Sequence, residues 1–340
     1  MIESIMDGGV YLILWLQNLG SWIYAPMEVF TFMGTEEFYL LIMPIIYWTV
    51  NAALGFRLGV ILLLAGGVNI ILKWALHLPR PYWYDARIQG MAPETSFGAP
   101  SSHSQTPSSV FGLIAATYRR AWIWGVVIPL IFLIGLSRLV LGLHFHFDVV
   151  LGWALGGIGI LLFLALENKV KAWFEKQDFA AKIGAAFSVT VAMIMFGLFV
   201  QHLAEGFELP QHWIENAIMD LPGIERLDPF GFENLISSMG ALFGLSAGYI
   251  LISSLGGFDS GGKLQKRAAR VILGLAGVLV LWQGLGSIFP RDPDLLSYSL
   301  RYLRYALVGF WAGALAPLLF IRLGLAEKAK GRMGRKERKG

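Results

Sequence analysis

An arginine, two histidines and an aspartate lie between two long apolar segments, in the stretch SRLVLGLHFHFD that runs from Ser137 to Asp148. His144 and Asp148 are four residues apart, so on a helix they share one face and the carboxylate can bond the imidazole. Such a bond fixes the tautomer and leaves the other ring nitrogen free to attack or to accept a proton. Arg138 is permanently charged, and its planar guanidinium suits a phosphate or a carboxylate. Ionisable groups among apolar segments predict a functional site, with a buried structural ion pair as the alternative.

Two other polar stretches also lie at the ends of apolar segments. The first, KWALHLPRP, contains Lys73 and Arg80, and its prolines are expected to end the helix so that both cations can point to one place. The second, APSSHSQTPSS, opens the next apolar segment with Ser101, Ser102 and His103. A helix start offers free N–H groups and the positive end of a dipole, which suit an anion. A snorkelling lysine and an ordinary serine cap are the alternative interpretations.

Taken together, the three stretches predict a site for phosphoryl transfer. His103 and His144 can serve as leaving-group acid and nucleophile. The sequence has no cysteine and no second cluster of carboxylates, so we expect chemistry without a metal or another cofactor. Three cations and a helix start are suited to holding a phosphate dianion: Lys73, Arg80, Arg138, Ser101 and Ser102.

The composition predicts a polytopic membrane protein of the all-α class, a bundle of transmembrane helices. Of the 340 residues 56% are hydrophobic and only 15% are charged, whereas soluble domains carry roughly 25% charged residues. The start, MIESIMDGG, lacks a basic region, so we expect no cleavable signal peptide. The net charge of +4 is no evidence for a nucleic-acid partner, because the basic residues follow the membrane topology.

Hydropathy predicts nine membrane spans, of which several are shorter than the roughly 20 residues that a span needs. Residues 8–31 are interpreted as an amphipathic or re-entrant segment, and the alternative is ten spans if this segment crosses. The nine predicted spans are 38–53, 55–77, 101–118, 120–142, 147–167, 184–204, 235–256, 270–289 and 302–324.

The distribution of positive charge predicts the orientation. Most of the 27 lysines and arginines fall in segments that this topology places on one side, including the Arg119–Arg120 pair and the C-terminal tail. The positive-inside rule assigns that side to the cytoplasm, so the C-terminus is expected to be cytoplasmic. The three polar stretches then face the extracytoplasmic side of the membrane, which we expect to be the cell (inner) membrane.

Charge and hydropathy also predict four parts of the chain. Residues 1–167 form a membrane core of about five to six helices, and residues 168–183 form a cytoplasmic linker. Residues 184–324 add about four transmembrane helices with little internal charge. Residues 325–340 form a polybasic cytoplasmic tail, for which we expect anionic lipid as the partner rather than nucleic acid.

The three stretches resemble the three-part signature of the type-2 phosphatidic acid phosphatase superfamily, which also includes the vanadium haloperoxidases. The resemblance covers about residues 30–167, so the C-terminal half looks like an addition to a common core. The second motif departs from the family pattern, because Ser102 stands where the family usually has glycine. The matching motifs are Lys73-x6-Arg80-Pro81, Pro100-Ser101-Ser102-His103 and Ser137-Arg138-x5-His144-x3-Asp148.

The resemblance implies a role for each matching residue. His144 would attack phosphorus and form a phosphohistidine, while Asp148 would hold its tautomer. His103 would protonate the leaving oxygen and then activate water. The implied function is hydrolysis of a lipid phosphate or diphosphate, such as a polyprenyl diphosphate or phosphatidic acid, at the outer membrane face. The alternatives are a lipid phosphotransferase that uses the same residues and a non-catalytic lipid-binding or transport protein.

Overall fold

The structure is a computed structural model that describes residues 2–220 and 227–329 of the chain. It is 77% helical and has no strands among these residues, which confirms the predicted all-α class. A 3₁₀ turn at Ser21–Ile23 and π-helical turns at Val280–Gly284 and Trp311–Leu315 interrupt the α-helices. The α-helices are α1 Ile2–Gln17, α2 Tyr24–Phe32, α3 Glu36–Thr49, α4 Ala52–Leu76, α5 Pro81–Tyr84, α6 Ser102–Tyr118, α7 Ala121–Val140, α8 His146–Glu175, α9 Phe179–Leu203, α10 Gln211–Asp220, α11 Glu233–Ser254, α12 Leu264–Leu279, α13 Leu285–Ile288, α14 Leu295–Phe310 and α15 Ala316–Arg322.

Seven helical segments of the described residues are long and apolar enough to cross a membrane, so the chain is an integral membrane protein. The prediction of nine spans is therefore wrong by one or two. An eighth crossing is possible if Ser21–Phe32 and Glu36–Thr49, which bend by 46° at their junction, form one span. The seven segments are Ala52–Tyr84, Ala121–Val140, His146–Glu175, Phe179–Leu203, Glu233–Ser254, Leu264–Ile288 and Leu295–Arg322.

Two of the nine predicted spans fail for lack of length and of apolar surface. α3 has 14 residues, so the predicted span 38–53 exists only as one half of the bent pair. α6 replaces the predicted span 101–118, but it has only 17 residues and buries polar side chains such as Gln105, Ser108 and Ser109. A helix that buries hydroxyls and an amide is suited to packing inside a protein rather than facing lipid.

Within the described residues, the first compact unit comprises the chain up to Tyr39, Ala65–Glu167 and Met195–Phe232. Its apolar core includes Trp83 and Phe145, both with no exposed surface. Glycine lets α8 approach the start of α6, because a Cβ at position 152 would lie 2.6 Å from the carbonyl oxygen of residue 101. One turn later, a Cβ at position 156 would lie 2.4 Å from the Cβ of residue 108. This close packing fixes the N-terminal end of α6 against α8.

The second compact unit comprises Leu40–Leu64, Asn168–Ile194 and the described residues from Glu233 onward. Its helices α11 and α14 pack with their backbones in contact. A Cβ at Gly240 would lie 2.5 Å from the carbonyl oxygen of Tyr302, so the small residue is required there. Membrane helices use such small residues to bring helices close enough for strong van der Waals packing.

One predicted feature extends beyond the described residues. Positions 330–340 of the polybasic tail lie outside them. The four-part division of the chain stays a prediction, as does the orientation of the chain in the membrane.

Candidate active site

The first predicted motif forms the bend at which α4 gives way to α5. α4 ends at Leu76, and His77 then adopts a left-handed backbone conformation with φ +50°. The chain turns there, and Arg80 precedes Pro81, the first residue of α5. Arg80 is only 1% exposed and Lys73 is 6% exposed, so both cations are withdrawn from solvent.

Both cations of this motif bind one serine that sequence analysis did not single out. Lys73 Nζ donates a hydrogen bond to Ser96 Oγ over 2.9 Å. Arg80 Nε donates to the Ser96 carbonyl oxygen at 2.7 Å, and Arg80 Nη2 donates to Ser96 Oγ at 3.0 Å. Arg80 Nη1 also donates to the carbonyl oxygen of Leu143 at 3.1 Å. The loop that carries Ser96 therefore holds the guanidinium in one orientation.

Arg138, in the last turn of α7, is brought to the same place. It is 3% exposed, and its Nη1 donates to Thr31 Oγ1 at 2.7 Å. Its Nη2 lies 2.8 Å from Glu94 Oε1, and Arg80 Nη2 lies 3.1 Å from Glu94 Oε2. One carboxylate thus joins two arginines that sequence analysis assigned to phosphate. We call Lys73, Arg80 and Arg138 the buried cation cluster.

Glu94 supplies the negative charge in this cluster. Partial burial disfavours its ionised form, but Arg80, Arg138 and Lys73 outweigh that effect and hold the pKa of Glu94 well below its ordinary range. Its backbone is fixed by Tyr82, whose hydroxyl donates to the Glu94 carbonyl at 3.0 Å and accepts from the Glu94 N–H at 3.2 Å. The side chain is 27% exposed, so this carboxylate marks the open side of the cluster.

The third motif forms a tight loop between α7 and α8. The N–H groups of Leu143 and His144 both donate to the Arg138 carbonyl, at 3.0 and 3.2 Å. Asp148 Oδ2 accepts from the Phe145 N–H at 2.9 Å and lies 3.3 Å from His144 Nδ1. The loop therefore brings Arg138, His144 and Asp148 together, although α8 begins only after His144.

The neighbours of His144 favour one tautomer. Arg80 Nη1 lies 3.4 Å from His144 Nε2, and an arginine can only donate, so Nε2 is the acceptor. Nδ1 then carries the proton and donates to the Asp148 carboxylate. Burial, followed by the charges of Arg80 and Arg138, lowers the pKa of His144 well below its ordinary value, which keeps the ring neutral. The arrangement is a neutral imidazole whose Nε2 lone pair faces the Arg80 guanidinium.

The second motif brings a helix start to the site. α6 begins at Ser102, after an extended Ser101 whose N–H donates to the Asp148 carbonyl at 3.0 Å. That bond occupies the Ser101 amide and leaves the N–H groups of Ser102 and His103, in the first turn of α6, available to an anion. Ser101 Oγ and His103 Nδ1 are buried and have no hydrogen-bond partner among the described residues.

The sequence motifs predicted the cations and the histidines. They did not predict Glu94, or the hydroxyl groups of Ser96 and Thr31, which bind those cations. Glu94 had a usable signal, because it is the only acidic residue between Asp85 and Asp148 and it lies between two cationic motifs. Ser96 and Thr31 carried no such signal. No group of three or more histidine, aspartate or glutamate side chains in the described residues is placed to hold a metal ion.

Comparison with known proteins places this site in a family. The family model described as PAP2 superfamily matches residues 54–172, which contain all three motifs. A second model, described as PAP2 superfamily phosphatase, transmembrane extension, matches residues 236–328. The family relationship therefore reaches well beyond the three motifs and includes much of the C-terminal half. No solved structure matches the chain.

Curated relatives are similar over different lengths of the chain. Glucose-6-phosphatase catalytic subunit 1 of Canis lupus familiaris is 26% identical over 316 residues, which is 82% of this chain and 84% of that protein. The same subunit of Felis catus is 26% identical and covers 83% of this chain and 86% of its own. Sphingosine-1-phosphate phosphatase 2 of Mus musculus is 28% identical over 171 residues, 48% of this chain and 46% of that protein. The resemblance found in the motifs is confirmed: the chain belongs to the PAP2 superfamily of membrane phosphatases.

Proposed function

We propose that the chain hydrolyses a phosphate monoester or diphosphate carried by a lipid, through a phosphohistidine at His144. Membership of a family whose phosphatases hydrolyse phosphate esters supports the reaction class. The observation that carries the assignment is the environment of His144. Its Nε2 faces Arg80 at 3.4 Å while Nδ1 lies 3.3 Å from Asp148, which leaves a neutral nucleophile beside an anion site.

In the first step, the lone pair of His144 Nε2 attacks phosphorus and a P–N bond forms as the P–O bond to the leaving group breaks. Asp148 stabilises the positive charge that develops on the imidazole. His103 gives a proton to the leaving oxygen, and the negative charge of the bound phosphate favours the protonated form of His103 that this requires. The products of this step are the free alcohol, or a lipid monophosphate from a diphosphate, and a phosphohistidine.

In the second step, the neutral His103 accepts a proton from a water molecule as the water oxygen attacks phosphorus. The P–N bond breaks, the electron pair returns to His144 Nε2, and inorganic phosphate leaves. In both steps the buried cation cluster and the free N–H groups of Ser102 and His103 stabilise the charge on the equatorial oxygens. Ser102, which stands where the family usually has glycine, adds a hydroxyl at this helix start.

The phosphate would replace the Glu94 carboxylate. Arg80 and Arg138 each direct one N–H group to Glu94, and a phosphate dianion can accept the same two bonds with a larger charge. Glu94 is 27% exposed and can turn outward, whereas the arginines are fixed by other partners. We infer that Glu94 neutralises part of the cluster's positive charge when no substrate is bound, and that it yields to the substrate.

A lipid substrate is supported by the depth of the site along the helices. Arg138 ends the apolar segment Ala121–Val140, and Asp148 lies in the first turn of the segment His146–Glu175. The reacting atoms therefore lie at the level where a lipid head group meets water. The positive-inside rule supports an extracytoplasmic site in the cell membrane, a cytoplasmic C-terminus, and contact between the basic tail and anionic lipids.

A sugar phosphate is the second candidate substrate. The relatives that match over more than four-fifths of this chain are glucose-6-phosphatase subunits, whereas the sphingosine-1-phosphate phosphatase matches over about half of it. Both candidates require the same nucleophile and the same anion site, so they differ only in what lies beyond the phosphate.

The test is phosphate release by the detergent-purified full chain in the presence of EDTA. The substrates are a set of lipid phosphates, polyprenyl diphosphates and sugar phosphates at equal concentration. We expect release from at least one lipid, and a loss of at least about 10⁴-fold in His144→Ala. His146→Ala is the matched control, because it removes a neighbouring histidine whose Nδ1 has no hydrogen-bond partner among the described residues.

Each outcome of this assay decides between the candidates. Phosphate release from sugar phosphates alone would show that the substrate is a soluble sugar phosphate and would leave the proposed mechanism unchanged. Release that persists in His144→Ala would overturn the assignment of the nucleophile. Transfer of phosphate to an alcohol instead of water would make the protein a phosphotransferase.

A further inference from the structure

Three arginines line a cavity of about 410 Å³ in the second unit, apart from every motif discussed above. Arg301 and Arg304 are three residues apart in α14 and therefore share a helix face. The π-helical turn Val280–Gly284 forms the opposite wall, and such turns are frequent at functional sites. We call this the arginine cavity, lined by Trp282, Gly286, Arg291, Arg301, Arg304 and Tyr305.

The guanidinium groups in the arginine cavity have few partners. Arg291 Nη2 donates to the Gly286 carbonyl at 3.1 Å, and Arg301 Nη1 donates to Ser237 Oγ at 3.1 Å. Arg304 lies over the Tyr305 ring at 4.8 Å, and its Nε is buried with no hydrogen-bond partner in the described residues. A Cβ at Gly286 would lie 2.5 Å from Arg304 Nη1, so the glycine leaves room for this guanidinium in its present position.

No carboxylate in the described parts of the chain forms an ion pair with these arginines. The nearest acids in sequence are Asp292 and Asp294. Asp294 caps α14 by accepting from the Ser297 N–H at 2.7 Å, and Asp292 lies within 4 Å of no arginine nitrogen. Gathering like charges without a counter-charge is unfavourable, so the arrangement points to an anion supplied from outside the chain.

The surroundings of the cavity indicate where this anion comes from. The cavity lies where the apolar segment Leu264–Ile288 ends and the segment Leu295–Arg322 begins, which is a boundary of the membrane. Val280, in the same helical turn as Trp282, and Ile288, in the same short helix as Gly286, are 69% and 75% exposed, as expected of side chains that face lipid tails. Trp282 Nε1 donates to the Tyr305 hydroxyl at 3.2 Å, and such rings favour the level of lipid head groups.

We propose that the arginine cavity binds the head group of an anionic phospholipid, with the phosphate on Arg301 and Arg304 and the acyl chains along Val280 and Ile288. The planar forks of two arginines match the oxygens of a phosphate, and Arg291 neutralises further charge at the rim. The apolar surface around the opening favours a lipid over free phosphate, since only a lipid covers both features.

The experiment measures lipid binding to the detergent-purified full chain by native mass spectrometry and by the shift of the thermal unfolding midpoint. The probes are phosphatidylglycerol, phosphatidylcholine with the same acyl chains, and inorganic phosphate. We expect phosphatidylglycerol to bind and to raise the midpoint, and phosphatidylcholine to do neither. Inorganic phosphate can bind at the active site, so it is scored only by whether it displaces the lipid, which we expect it not to do. The double variant Arg301→Gln/Arg304→Gln should bind phosphatidylglycerol roughly 25-fold more weakly, at about fivefold for each arginine.

Arg322→Gln is the matched control, because it removes the same charge at the other end of the same segment and should leave the affinity unchanged. If the double variant does not fold, Arg304→Lys tests the same site, since it keeps the charge and loses the fork. That variant should bind more weakly than the wild type, but by less than the roughly fivefold expected for loss of the charge. Unchanged affinity in the folded Arg301 and Arg304 variants would overturn the proposal, as would equal binding of phosphatidylcholine or displacement of the lipid by inorganic phosphate.

Discussion

The buried cation cluster of the first unit and the arginine cavity of the second unit hold their charges differently. In the buried cation cluster, Arg80 and Arg138 are 1% and 3% exposed, and both are paired with the carboxylate of Glu94. In the arginine cavity the guanidinium groups are half-buried or exposed, and none is paired with a carboxylate of the described residues. The buried cation cluster is paired with an anion from the chain itself, whereas the arginine cavity has no such pair among the described residues.

Burial explains this difference. A buried charge without a partner is strongly destabilising, so a cluster that must stand empty between turnovers needs an internal anion. A partly exposed arginine remains hydrated or meets a lipid head group, and it needs no acid from the chain. The internal carboxylate therefore fits the proposal that this site exchanges one anion for another.

The largest difference between the two clusters is expected in kcat/KM for phosphate release when one arginine of each cluster is changed to lysine. Arg138→Lys keeps the charge but loses the fork that reaches Thr31 and Glu94 together. We expect kcat/KM for phosphate release to fall about 10²- to 10³-fold, as for the loss of one transition-state donor. Arg301→Lys makes the same chemical change in the arginine cavity and should leave kcat/KM unchanged in neutral detergent. Equal losses in the two variants would remove the functional distinction between the clusters.

A smaller effect is expected from Glu94→Gln, which removes the internal anion and keeps its shape. Inorganic phosphate should inhibit this variant at about tenfold lower concentration, because it no longer competes with a carboxylate for Arg80 and Arg138. The empty variant should also unfold at a lower temperature, since two buried arginines lose their counter-charge.

Added phosphate should restore much of the lost stability in Glu94→Gln and have less effect on the wild type. Asp292→Asn is the control, since it removes a carboxylate that pairs with no arginine of the described residues. An inhibition constant for phosphate that is the same in Glu94→Gln and wild type would show that Glu94 does not occupy the phosphate position.

The smallest effect is a shift of the acid side of the pH–rate profile. Burial and the neighbouring cations lower the pKa of His144, so Nε2 stays unprotonated below the ordinary histidine value of about 6.5. We expect kcat/KM, corrected for the substrate's own pKa near 6, to begin to fall only at a pH below about 6.5. In the unfolded chain the same histidine takes up a proton near pH 6.5, so its contribution to stability is lost as pH falls below that value. An acid limb at or above pH 6.5 would contradict this environment for His144.

The sequence was sufficient for the helical class, and the catalytic roles of the site residues stay predictions. Motif spacing predicted that Lys73, Arg80, Arg138 and His144 meet, because helix ends and prolines restrict where each side chain points. The sequence was misleading for α6, because its apolar residues predicted a membrane span. The helix instead buries hydroxyl groups and Gln105, so it is suited to packing inside the protein.

The partners of the site lie in parts of the sequence that have no periodic pattern. Glu94 and Ser96 belong to a loop between α5 and α6, and Thr31 lies near the end of α2. Loop positions depend on contacts such as the Tyr82 hydroxyl bonds to Glu94, which no local pattern specifies. The arginine cavity was missed for a similar reason, because its residues come from two segments on either side of a connection.

The most direct test of the account is to trap the phosphorylated protein. His103→Ala should react with a ³²P-labelled aryl phosphate, whose good leaving group needs no acid, and should then hydrolyse the intermediate slowly for lack of a base. We predict acid-labile, alkali-stable label on His144 after rapid quenching, accumulating in His103→Ala and absent in His103→Ala/His144→Ala. Turnover by the wild type without any labelled protein, or label at a residue other than His144, would contradict the central claim.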